Sequence, residues 1–152
     1  MSKKVFDNID DLWYSLVEDV ENSVRKSVDV VVKHVYKEKI QEAYDSYMPK
    51  HERSSRYRRG ESGSFHDNDN HVSEITRFGE NIRYMLHNER TSDCNCNYCK
   101  NNDTNLDGFI EEGIAGRSSI TPRPVSEWVM DELESNRIID NTIDRDLKKK
   151  GW

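Results

Sequence analysis

From about Asp10 to Tyr47 the apolar residues Leu12, Trp13, Leu16, Val17, Val20, Val24, Val28, Val31, Val35, Ala43, Tyr44 and Tyr47 recur at steps of three and four. That is the period of an amphipathic helix. Asn8 or Asp10 offers a cap, no Gly or Pro interrupts the run, and Met48-Pro49 stops it, so the pattern predicts one helix over about 8–48. Such a helix measures on the order of 57 Å, longer than a domain of this size. It must bend, with the Val30-Val31-Val32 triplet as the expected place, or lie against neighbouring subunits; Val30 and Val32 widen its apolar face.

Residues 49–71 are polar, carry Gly60, Gly63 and a DNDN run, and read as a long Arg/Gly loop. VSEITRF and NIRYMLH then flank Gly79-Glu80. Ile82, Tyr84 and Leu86 alternate with Asn81, Arg83 and Met85, which predicts a β-hairpin over 72–87. A cysteine loop at 88–105 follows. In the C-terminal part, 122–150, Pro124 suits the first turn of a helix. Val125, Trp128, Val129 and Leu133 share one of its faces, and Ile139, Ile143 and Leu147, four apart, predict a last short helix. The expected architecture is a single α+β domain, 1–152: a long N-terminal helix packed on a small, mainly antiparallel sheet, with a C-terminal helix.

Composition adds a constraint. Hydrophobic and charged residues each make up 34% of the 152 positions, so the buried share of one copy is thin and self-assembly is expected to supplement it. Trp13, Val17, Val20, Val24, Val28 and Val31 on the first helix, with Trp128, Val129 and Leu133 on the last, are the residues expected to pack in the core or between subunits. Trp152, after Gly151, is expected either to be disordered or to anchor on a partner.

A net charge of −6 argues against a dedicated nucleic-acid binder. Arg53, Arg56, Arg58 and Arg59 form a local exception that could touch nucleic acid, set against the commoner solvated loop. No stretch approaches the roughly 20 apolar residues of a membrane span. The N-terminus shows no signal-peptide core, so a soluble protein made in the cytoplasm is expected.

Three motifs offer metal chemistry. Cys94, Cys96 and Cys99 supply at most three of the four tetrahedral ligands zinc prefers. His87 is the nearest fourth donor, ahead of His66, His71, Asp93 and Asp103; the alternative is a loop of free thiols. Asp103, Asn105, Asp107 and Gly108 match the front half of an EF-hand loop, but its twelfth position is Ile114 where a bidentate Glu belongs. His66, Asp67, Asp69 and His71 could serve a metal-dependent hydrolase, against an Asn/Asp-rich turn before a strand. There is no nucleophile with its base, no glycine-rich phosphate loop and no H-E-x-x-H helix. The chain therefore reads as a non-enzyme with no cofactor, zinc being the one candidate.

The order of these pieces, with YRRGESGSFHDNDNH (57–71), LDGFIEEGIAG (106–116) and TPRPVSEWVMDEL (121–133), resembles the tail-completion or neck family of tailed bacteriophages. The cysteine loop departs from that family's pattern. The resemblance implies a structural virion protein of the head-tail connector, a ring of copies, commonly six, around the DNA channel. Its partners would be other copies of itself and neighbouring neck and tail proteins, with DNA passing unread and no membrane involved. An acidic balance suits a channel that must not grip phosphates. The competing expectation is a small zinc-stabilised binding module or regulator that contacts nucleic acid.

Overall fold

The computed structural model describes residues 5–46, 67–89, 111 and 123–152. Its first element is a continuous helix made of α1 (Ile9–Ser23), a five-residue π segment (Val24–Val28) and α2 (Asp29–Asp45). Asn8 is the cap: in extended backbone, its side chain accepts from the Asp11 backbone N–H at 2.7 Å. Asp10 and Asp11 in the first turn suit the positive end of the helix dipole. The other end is closed by Arg123, which donates to Ser46 Oγ at 2.7 Å and to the Ser46 carbonyl at 3.3 Å.

The irregularity lies at Val24–Val28 and not at the valine triplet. A π segment absorbs an extra residue, and the burial pattern shows the effect. At about 100° per residue an unbroken helix would place Ile40 about 140° round from Val17; one absorbed residue brings it to about 40°. Ile40 is in fact fully buried, and Val32, Val35, Tyr36 and Ala43 are buried with it. Val31 is only half-buried and Val30 is exposed. The expected stripe through Val31 is therefore corrected to one through Val32.

Strands β1 (His71–Phe78) and β2 (Asn81–Asn88) form an antiparallel hairpin in which Ile75 faces Tyr84, Ser73 faces Leu86 and Arg77 faces Ile82. Gly79 opens the two-residue turn at φ 61°, where a side chain would be strained. Ile75, Ile82, Tyr84 and Leu86 turn inward onto the helical core. Helix α3 (Val125–Ser135) lays Val125, Val129 and Leu133 on α2. Pro124 sits just before it, and Glu111 Oε1 accepts from the Ser126 N–H and hydroxyl, both at 2.8 Å, capping the helix. Arg137, at φ 49° and ψ 41°, turns the chain into α4 (Ile138–Lys149), which packs on α1 and the π segment. Ile138 and Ile143 meet the core, whereas Ile139 faces solvent. The fold is α+β, as the patterning predicts.

Candidate assembly surface

The core of buried side chains runs from Val24 to Ala43 on the long helix and through α3. Helix α1 adds polar contacts to the burial of Val17 and the packing of Val20 on the core. Asp19 accepts from Lys150 Nζ at 2.9 Å and from the Trp152 indole N–H at 2.8 Å, and the Trp152 ring stacks on Phe6 at 5.4 Å. Ser23 Oγ donates to Asp146 at 2.9 Å. A bond from Ser27, with help from Ser23, Lys149 and Arg145, outweighs burial and holds the Asp146 carboxyl below its ordinary value. On the hairpin side Arg25 pairs with Glu21 at 2.8 Å and reaches the Ile75 carbonyl at 3.3 Å, while the Trp13 indole donates to Glu80 at 2.8 Å.

The apolar stripe of the long helix does not end where its cover ends. Val17 is buried, but one and two turns earlier Trp13 is 43% exposed, Leu12 38% and Ile9 82%, with Tyr14 at 67% and Val5 at 89%. Trp13 is thus no core residue. Trp128 and Val20 pack at the margin of the core, while Val17, Val24, Val28, Val129 and Leu133 are buried.

A second network joins helix and hairpin. Tyr84 donates its hydroxyl to Asp29 at 2.9 Å. Burial alone would raise the Asp29 carboxyl, yet bonds from Ser73, Lys33 and Tyr84 leave it below its ordinary value; burial first, then Asp29, drives the Tyr84 phenol upward.

Of the sequence-derived metal candidates, His71, His87, Asp67 and Asp69 are among the described residues. Cys94, Cys96, Cys99, Asp93, Asp103, His66 and the EF-hand positions Asn105, Asp107, Gly108 and Ile114 lie outside the described residues, as do Arg53, Arg56, Arg58 and Arg59. His87 Nε2 lies 3.4 Å from Glu89. His71 is buried edge-on to Tyr36 at 5.1 Å. Asp67 accepts from the Asp69 N–H at 3.2 Å in the short turn that leads into β1. Among the described residues no three His, Cys, Asp or Glu side chains come together as a metal site.

The YomN family profile matches residues 8–149, spanning the long helix, the hairpin and both C-terminal helices. The chain belongs to the YomN family. This is a Bacillus phage-derived family, so the protein is phage-associated. No curated protein and no solved structure matches it. Among the described residues of this YomN-family chain no helix is long and apolar enough to cross a membrane. Its surface carries an aromatic-rich helical end beside a hairpin turn, where Trp13 meets Glu80. Sequence reading missed the Asp19, Asp146 and Asp29 contacts, because their partners stand 131, 123 and 55 positions away.

Proposed function

We propose that this protein is a structural component of a tailed phage, acting in the neck between capsid and tail as a ring of copies around the DNA channel, and that it performs no catalysis. The observation that supports this reading is the uncovered apolar stripe at the start of α1, in a chain whose family is phage-derived. Exposed apolar patches of several hundred Å² mark interaction sites, and Trp and Tyr are the commonest anchors at interfaces. The net charge of −6 fits a channel wall that lets DNA slide. A phage carrying a stop codon early in the gene should yield filled heads and free tails that do not join, with joining restored by the protein supplied in trans. Normal tailed particles from that mutant would refute the neck role. Native mass spectrometry of the purified chain reports subunit number and zinc in one spectrum; a monomer carrying one zinc would favour the binding module.

A further inference from the structure

We propose that the N-terminal end of α1 docks into the lysine-lined cleft beside the π segment of a second copy of this chain; this head-to-tail contact rests on the assembly reading above. From Val5 to Tyr14 the donor end combines apolar area with negative charge. Val5, Ile9, Leu12 and Trp13 leave on the order of 450 Å² exposed, taking about 150–250 Å² for each large side chain scaled by its exposure. That is over half of the roughly 800 Å² that each partner contributes to a stable interface. Asp7, Asp10 and Asp11 are exposed among them.

The acceptor is a cleft of about 270 Å³ formed where α4 crosses the π segment, lined by Asn22, Ser23, Ser27 and Asp146 together with Lys26, Lys149 and Lys150. Lys150 is committed to Asp19 and Asp146 to the two serines. Lys26 is exposed, and Lys149, 3.7 Å from Asp146, keeps 67% of its side chain in solvent. Val30, one turn beyond Lys26 on the same helix, is 65% exposed. The carboxylates of that end thus complement the lysines of the cleft.

Geometry makes the contact intermolecular. Asp10 and Lys26 lie on one continuous helix, about 24 Å apart, so one copy cannot fill its own cleft. A two-fold contact of α1 against α1 would bring Asp7, Asp10 and Asp11 against their equals, which like charge disfavours. Two different patches on each subunit make a heterologous interface, the type that closes into rings.

The test is charge reversal read by native mass spectrometry and sedimentation. Wild type should self-associate, and less so as salt is raised. Asp10→Lys with Asp11→Lys, and separately Lys26→Glu with Lys149→Glu, should each weaken association at least tenfold. An equimolar mixture of the two variants, or all four changes in one chain, should restore it, which misfolded protein could not do. Oligomers that survive either reversal would overturn this surface and leave the ring reading standing. Failure of the mixture and of the fourfold variant to reassociate would overturn the charge pairing. A wild-type chain that stays monomeric at millimolar concentration would overturn both.

Discussion

Trp152→Ala should release α1 without unfolding the rest. The indole contributes a ring stack on Phe6 and a hydrogen bond to the Asp19 carboxylate, half-buried at the end of the chain. The stack is worth about 1 kcal/mol, and a bond to a charged acceptor about 2 kcal/mol. Losing both costs about 3 kcal/mol, on the order of a hundredfold rise in the detached form of α1. Because the buried cluster starts at Val24, that loss should stay local. Hydrogen exchange followed by mass spectrometry separates the outcomes: amides of Ile9–Ser23 should exchange about a hundredfold faster, while those from Val28 to Ala43 keep their protection. Trp152→Phe, which retains a ring but loses the N–H, should fall between. Equal acceleration in both segments would mean that α1 belongs to the global folding unit, and no acceleration would mean that the tail holds nothing; either refutes the reasoning.

The register shift at the π segment predicts that Val32→Ala costs about 2 kcal/mol in urea melts while Val30→Ala costs under about 0.5 kcal/mol; the reverse order would mean an unshifted helix. Tyr84→Phe deletes the hydroxyl on Asp29 at 2.9 Å and should cost about 1–2 kcal/mol, a loss that Asp29→Asn in the same chain should largely absorb. The Asp146 carboxyl is held below its ordinary value of 3.8, so its contribution is complete above that pH and is lost as pH falls through the lower folded value. Stability curves of wild type and Asp146→Asn should therefore differ at neutral pH and converge below about pH 4; a gap that persists in acid would contradict the assignment.

The helix, the hairpin and the C-terminal helices were legible because each follows from period alone. The π segment was not, since one absorbed residue leaves every local three- or four-residue step intact and shows only as a displaced stripe. That displacement is why Tyr36 and Ile40 were missed and Val31 was placed where Val32 belongs. Trp13 illustrates a different limit: periodicity assigns a side chain to a face, but only the packed fold decides whether anything covers that face. Trp152 was expected to be disordered or bound to a partner. Its docking on Asp19 depends on α4 crossing α1, a pairing with no local signature. The candidate zinc ligands on the cysteine loop fall outside the described residues, so the fold bears on His87 alone.

The long helix divides its work at the π segment. Beyond it α2 is locked by apolar burial against the hairpin and α3, while before it α1 buries Val17 and rests otherwise on Val20 and the Trp13, Asp19 and Ser23 contacts. Dense cores resist reorientation, whereas polar clasps can rearrange at small cost, so α1 is the part free to set its angle to a neighbour. On the assembly reading that angle fixes how many copies close a ring. Loosening the clasp with Trp152→Ala should then broaden the distribution of oligomer sizes in native mass spectra, and the core change Val32→Ala should leave that distribution as it is while lowering thermal stability. An unchanged distribution in Trp152→Ala, with the hydrogen-exchange effect present, would show that the inter-subunit angle is set elsewhere than at α1.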